Sequence, residues 1–65
     1  MEYTNSQMLA LINEHIHSER DRAILCRRLI DGITFEILAL EFDMSARQVK
    51  NIVYKLEEKL FSKLH

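Results

Sequence analysis

The strongest constraint on this chain is a pair of short apolar patterns within residues 34–53. Leu38, Ala39 and Phe42 recur at helical spacing in the first pattern, and Val49 and Ile52 recur likewise in the second. The two stripes can therefore face each other as two short helices joined by a tight turn. Ala39 suits the closest crossing, because helices that meet at a steep angle bring their backbones too near for a larger side chain.

The ends of these two helices are also marked. Thr34 and Ser45 are good N-cap residues, because a side-chain oxygen can accept a hydrogen bond from an otherwise unpaired amide of the first helical turn. With a turn at Asp43-Met44, this predicts a third helix over residues 35–42 and a fourth that starts at Ala46. The spacing is that of a DNA-reading helix-turn-helix, and an ordinary αα-hairpin in a small bundle is the alternative.

The outward face of the fourth helix carries polar side chains that suit DNA. Arg47, Gln48, Lys50 and Asn51 can donate to guanine, to adenine or to phosphate oxygens, and they lie in the turns that would enter a major groove. We expect Arg47 and Lys50 to read bases and Lys55, farther along, to touch phosphate. A solvated helix face is the alternative interpretation of these charges. The full set expected to contact DNA is Ser45, Ala46, Arg47, Gln48, Lys50, Asn51, Lys55, Thr34, Arg27 and Arg28.

The charges are distributed unevenly along the chain. The formal net charge is −1, but residues 1–44 hold four Lys or Arg against eight Asp or Glu, whereas residues 45–65 hold five against two. No acidic residue occurs between Ser45 and Leu56. Such a local basic stretch favours DNA binding, because attraction to phosphates supplies most of the sequence-independent affinity. The small total charge predicts modest affinity for a single copy.

Two further helices complete the predicted fold, which is a small all-α bundle of three to four helices. Apolar spacing predicts a first helix from Asn5 to Ile16, and Ser18 with Asp21 resembles a capping box that opens a second helix through Ile30. Gly32 should end the second helix, because glycine adopts the left-handed conformation without steric cost. The fourth helix has no breaker before His65, and as a long C-terminal recognition helix it should protrude beyond the core.

Length and composition exclude several classes of protein. Sixty-five residues make one domain, too small for a core plus an enclosed substrate cavity, so neither an enzyme nor a small-molecule substrate is expected. His15, His17 and Cys26 lack the paired spacing of a zinc site, so no metal or cofactor is expected and Cys26 should be a buried small hydrophobe. No apolar run approaches the roughly 18 residues of a membrane span, and no signal peptide is expected. These features favour a cytoplasmic protein.

The chain resembles region 4 of bacterial sigma factors, the domain that holds the promoter −35 element. The resemblance spans residues 18–60 and rests on Asp31-Gly32-Ile33-Thr34-Phe35-Glu36, on Phe42-Asp43 before the turn, and on Ser45, Val49, Lys50, Ile52, Lys55, Lys59 and Leu60. Asp43 fits this family where many other helix-turn-helix proteins place Gly. The related LuxR-type regulators are similar over residues 18–25 but continue into a further helix that this sequence lacks.

The resemblance implies a stand-alone sigma region 4-like domain over residues 1–65, of the kind found in small phage or mobile-element regulators. It implies a transcription regulator that binds double-stranded DNA and, as the alternative, an interaction module that binds RNA polymerase or a sigma-type partner. Arg27 and Arg28 lie on the preceding helix, where phosphate contact is implied and plain solvent exposure is the default. Ala46-Arg47-Gln48 stands where primary sigma factors have Arg-Glu-Arg, so the −35 sequence itself is not carried over.

Several apolar residues depart from the family pattern and raise the question of self-association. Ile37, Leu40, Val53 and Tyr54 replace charged, polar or small residues on what should be an exterior face. The apolar stripe of the fourth helix also continues through Val53, Leu56, Leu60 and Leu64. Either the first helix covers this stripe within one chain, or a second copy does. We favour a two-fold homodimer that binds two half-sites about one DNA turn apart.

Overall fold

A computed structural model describes residues 3–62 as four helices with no strand in that range. The helices are α1 (Asn5–His15), α2 (Glu19–Leu29), α3 (Phe35–Glu41) and α4 (Ala46–Ser62). The all-α bundle predicted from apolar spacing is confirmed, and each predicted boundary inside the described range lies within one residue of the observed one. The expected continuation of α4 to His65, including Leu64, lies outside the described residues.

Side-chain caps explain where α1 and α2 begin. Thr4 and Gln7 form a complete capping box at α1, in which the Thr4 hydroxyl accepts from the Gln7 amide at 3.1 Å and the Gln7 side chain accepts from the Thr4 amide at 2.9 Å. At α2 the box predicted from sequence is only half formed. The Ser18 hydroxyl accepts from the Asp21 amide at 3.4 Å, but the Asp21 carboxylate accepts from the guanidinium of Arg20 at 3.2 Å.

The corner between α2 and α3 depends on Gly32. Its φ of 71° lies in the left-handed region, and the amide of Ile33 donates to the carbonyl of Arg27 at 3.1 Å across the corner. Open space surrounds the position where a Gly32 side chain would begin, so backbone conformation alone requires glycine there. The predicted helix stop at Gly32 is thereby confirmed.

All four helices contribute to one apolar core. Leu38 and Val49 are fully buried together with Ile24 and Leu25, as expected, whereas Phe42 and Ile52 are only half-buried. No polar or charged side chain within residues 3–62 is buried. The buried core residues are Ile12, Ile16, Ile24, Leu25, Leu38, Ala39, Val49, Val53, Leu56 and Leu60.

The apolar stripe of α4 is covered within one chain. α1 packs against both α2 and α4, and Leu56 and Leu60 are buried in the same cluster as Ile12. The expectation that α4 protrudes beyond the core is therefore wrong as far as Leu60. Val53, assigned from sequence to an exterior face, is fully buried because it lies one helical turn after Val49. Within residues 3–62, no helix has both the length and the apolar character needed to cross a membrane.

Candidate nucleic-acid interface

The turn between α3 and α4 is short and has one left-handed residue. The amide of Phe42 donates to Leu38 at 3.0 Å as the last helical bond, and the amide of Met44 donates back to Ala39 at 2.8 Å. Asp43 between them has a φ of 54°. Aspartate tolerates this conformation better than most residues, which explains how it replaces glycine here. Ala39 is buried, in agreement with the small side chain expected where the two helices cross.

The start of α4 is held by a capping box that sequence reasoning missed. The Ser45 hydroxyl accepts from the amide of Gln48 at 3.1 Å, and the Gln48 side-chain oxygen accepts from the amide of Ser45 at 2.9 Å. A bidentate contact to adenine uses both the oxygen and the nitrogen of a side-chain amide. Gln48 therefore acts first as a cap, and only its NH₂ group is left for a ligand. Ala46 packs partly against the core instead of facing outward.

The other polar residues of the first turns of α4 form an exposed face. Arg47, Lys50, Asn51 and Lys55 are all exposed, whereas Val49 on the same helix is fully buried. Within residues 3–62, none of these four side chains takes part in an ion pair. The polar face expected from sequence is therefore present. The charges of Arg47 and Lys50 in its first turns are not neutralised by an acidic residue within residues 3–62.

Arg27, which the resemblance places at phosphate, forms an ion pair that joins α2 to α3. Its guanidinium donates to both carboxylate oxygens of Glu41, at 2.6 Å and 3.2 Å, and to Asp31 at 3.1 Å. The hydrogen bonds from Arg27 lower the pKa of Glu41, and the same bonds raise the pKa of Arg27. A bidentate arginine pair of this kind fixes the relative position of two helices. The structure thus gives Arg27 partners on α3 and at the end of α2, its side chain stays 40% exposed, and its contact with phosphate remains a prediction.

Arg28, the next residue, has different partners, which are Ile33 and the aromatic ring of Phe35. Its Nη1 donates to the carbonyl of Ile33 at 3.0 Å, and its guanidinium carbon lies 4.2 Å from the centre of the Phe35 ring. The ring of Tyr54 meets Phe35 edge to face, with the centres 6.0 Å apart and the planes at 83°. The ammonium of Lys50 lies 5.9 Å from the same ring. Phe35 and Tyr54 were absent from the residues expected at the interface.

Thr34 has the local role expected of it at the start of α3. Its hydroxyl oxygen accepts from the amide of Ile37 at 3.3 Å, and the side chain is exposed beside Phe35. The hydroxyl can still donate its own hydrogen outward. Thr34 therefore lies near the edge of the α4 face without belonging to that face.

A shallow groove flanks the other edge of α4. Its volume is about 350 Å³, and it is lined by Arg20, Asp21, Ile52, Lys55, Leu56 and Lys59. Lys50 and Lys55 are five residues apart, so they are separated by about 140° around the helix axis. The basic groups of α4 thus lie on both sides of a strip that contains Arg47 and Asn51.

Other candidate chemistry is weak in the described part of the chain. Among residues 3–62, no three His, Cys, Asp or Glu side chains come together as ligands for a metal ion. Cys26 is half-buried against the core, in place of the full burial expected from sequence. Burial and the nearby carboxylate of Asp31 raise the pKa of its thiol, so Cys26 stays a neutral packing group.

Comparison with known proteins leaves the sigma-like resemblance as an expectation from the motif. No family model, no curated protein and no solved structure matches this chain.

Proposed function

We propose that α3 and α4 form a helix-turn-helix that binds double-stranded DNA and regulates transcription, in the manner of sigma region 4. The observation that carries this proposal is the exposed, acid-free face at the start of α4, which includes Arg47, Lys50 and Asn51. The buried contact of Leu38 and Ala39 with α4 holds this face on a rigid support. Rigid presentation matters because base reading needs side chains fixed in register with the groove.

The residues of the α4 face have different expected roles. Arg47 and Asn51 lie opposite the buried stripe, so they point into the groove when α4 lies in it. A guanidinium can donate twice to guanine, and an asparagine amide can pair with adenine. Lys50 and Lys55 flank this strip on opposite sides, which suits contacts with phosphates. Lys50 is also placed in the first turns, so base contact remains part of its expected role.

A single copy offers few phosphate contacts, because the basic groups of the α4 face are few and the net charge of the chain is −1. A second copy would double these contacts, and this supports the two-fold homodimer. The surface for it is not the apolar stripe of α4 as far as Leu60, which is buried within one chain. Within residues 3–62, the large apolar side chains that remain exposed are Ile37 at 48%, Leu40 at 83% and Tyr54 at 54%, with Leu9 on α1. We assign self-association to the α3 surface.

The same surface favours a second candidate function, an interaction module for RNA polymerase or a sigma-type partner. Ile37 and Leu40 are three residues apart on α3 and therefore share one face. Exposed apolar neighbours on a short helix are typical of protein contacts. Under this alternative, binding depends on α3 and not on Arg47.

Selection from a pool of random DNA duplexes at several salt concentrations tests the proposal. We expect enrichment of a motif made of two half-sites. Arg47→Ala should relax the preference within each half-site, whereas Leu40→Ser should keep the half-site preference but lose the fixed pairing of half-sites. Leu40→Ser should also remove concentration-dependent association measured by light scattering. A chain that binds no duplex at low salt, yet captures a sigma-type partner through Leu40, would replace the DNA proposal by the interaction module.

A further inference from the structure

The ring of Phe35 lies where three helices meet, and it contacts three side chains with polar ends. Arg28 comes from α2, and Lys50 and Tyr54 come from α4. We call Arg28, Phe35, Lys50 and Tyr54 the ring cluster. Phe35 itself is half-buried, whereas Lys50 and Tyr54 are exposed. The cluster therefore presents two cations and a phenol from one apolar base.

Arg28 is held in place on both sides. Its Nη1 donates to the carbonyl of Ile33, and the centre of the Phe35 ring lies 4.2 Å from its guanidinium carbon. That distance is well within the range of an attractive contact between a cation and an aromatic ring. Most of the N–H groups of Arg28 remain available, because the Ile33 carbonyl occupies one of five donors. A guanidinium that is already ordered loses less entropy when it binds an anion.

Tyr54 is fixed by the same ring. The edge-to-face contact with Phe35 sets the direction of the Tyr54 ring, while 54% of the residue stays exposed. An exposed tyrosine on a helix surface has no need of an aromatic support for solubility or for core packing. The contact orders the Tyr54 ring, so its hydroxyl loses less conformational entropy when it binds a ligand.

The ring cluster lies along one edge of the α4 face. Lys50 and Tyr54 are four residues apart, so they stand above one another on the same side of the helix. Arg47 and Asn51 lie toward the middle of the face, and Lys55 lies on the opposite edge. When a helix occupies a major groove about 12 Å wide, each of its edges faces the phosphates of one strand.

We propose that the ring cluster is a phosphate-binding site for one strand of the DNA that α4 reads. Arg28 and Tyr54 donate hydrogen bonds to the phosphate oxygens, Lys50 adds charge, and Phe35 is the positioning residue. The inference rests on the proposed DNA binding, because it names the backbone contacts of that same site. If the cluster were only packing, the Tyr54 hydroxyl and the charge of Arg28 would not affect affinity for DNA.

Binding to a fluorescein-labelled duplex of mixed sequence, measured over a range of salt concentrations, tests this site. Tyr54→Phe should weaken binding by about three- to tenfold at every salt concentration, since it removes one hydrogen bond and no charge. Tyr3→Phe is the matched control: Tyr3 lies beside α1 with Gln7 and Glu14, away from the cluster, and its hydroxyl should not matter.

Variants of Arg28 separate its charge from its geometry. Arg28→Gln should lower the slope of log affinity against log salt by about 0.9, the share of one phosphate contact. Arg28→Lys should keep the slope but bind more weakly than wild type, because an ammonium cannot reproduce the fork held by Ile33 and Phe35. Phe35→Leu should weaken DNA binding by the same factor as Arg28→Lys. Thermal unfolding of Phe35→Leu is measured as well, to separate lost affinity from lost stability.

The outcomes distinguish this inference from the proposed function. Loss of affinity in Tyr54→Phe with wild-type unfolding, together with the lower slope in Arg28→Gln, supports the phosphate site. Wild-type affinity and slope in both of these variants, while Arg47→Ala still relaxes sequence preference, would overturn the phosphate site alone. A wild-type chain that binds no duplex at low salt would overturn both.

Discussion

The two halves of α4 have the same buried periodicity but differ on their outer side. Val49 and Val53 anchor residues 46–54, and Leu56 and Leu60 anchor residues 55–62. Outside, the first half has two basic residues and no acid, whereas the second half balances two lysines with Glu57 and Glu58. One helix therefore has only positive charges on its outer side at the start and charges of both signs at the end.

The packing of the two halves explains this division. The first half follows the tight turn from α3, and its outer side has the ring cluster at one edge. Leu56 and Leu60 of the second half are buried in the same core as Ile12 of α1. We infer that the second half serves mainly to hold the first in place. The predictions below test whether stability and DNA recognition separate along α4 in this way.

The largest effect should come from the second half. Leu60→Ala should lower the free energy of unfolding by about 2 to 5 kcal/mol, because Leu60 is fully buried and its loss leaves a cavity. Leu40→Ala is the matched control: at a protein concentration where both variants are monomeric, its 83% exposed side chain should change stability by no more than about 0.5 kcal/mol. Urea unfolding of both variants gives the comparison. Equal stability of the two would mean that the cover of α4 by its own chain is misassigned.

The next largest effect should come from the first half. Arg47→Ala should cost about 1 to 3 kcal/mol of binding on a selected DNA site and relax preference at one base pair. Thermal unfolding should stay at the wild-type value, because the side chain is exposed and has no ion-pair partner within residues 3–62. An equal loss on all sequences would mean that Arg47 touches phosphate and not a base.

Most of the fold could be predicted from local signals. Thr34, Gly32 and the apolar spacing each act within a few residues, so the helix boundaries follow from short-range chemistry. The capping box of Ser45 with Gln48 was equally local, since it fits the pattern of a hydroxyl residue followed three positions later by Gln. It was overlooked because Gln48 was interpreted only as a base-reading side chain.

The parts that could not be predicted depend on how distant helices cross. Arg27 and Arg28 are adjacent and chemically identical, yet one pairs with Glu41 on α3 and the other stacks on Phe35. Asp31, four residues after Arg27, is a local partner that Arg28 lacks, but the contacts with Glu41 and Phe35 depend on how α2 packs against α3. Val53 is different: its place on the apolar stripe of α4 predicts burial, and only its position in the family pattern pointed to an exterior face. Local patterns therefore predicted the α4 face better than they predicted its two edges.

A smaller effect should show how far DNA contact extends into the second half of α4. Lys55→Gln should weaken binding uniformly over sequences and lower the salt slope by about 0.9, as expected for one lost phosphate contact. Lys59→Gln, one turn farther into the second half, should leave the slope unchanged. Salt titrations on a mixed-sequence duplex compare the two. A larger slope change for Lys59 than for Lys55 would move the boundary toward the C-terminal end of α4.

The smallest expected effect concerns the ion pair that joins α2 to α3, the helix on which the first half of α4 packs. Arg27 lowers the pKa of Glu41 in the folded chain, so the pair contributes stability above the ordinary glutamate pKa of about 4.3, and that contribution is lost as the pH falls through the folded pKa. Glu41→Gln should therefore be slightly less stable than wild type at neutral pH, and the difference should vanish in acid. Urea unfolding of both proteins across this pH range measures the difference in their free energy of unfolding. The other carboxylates titrate in both proteins, so their contribution cancels in this difference. Because Glu41 is exposed, the effect should also shrink in high salt. A difference that persists unchanged below the folded pKa would mean that Glu41 acts through packing on α3 and not through its charge.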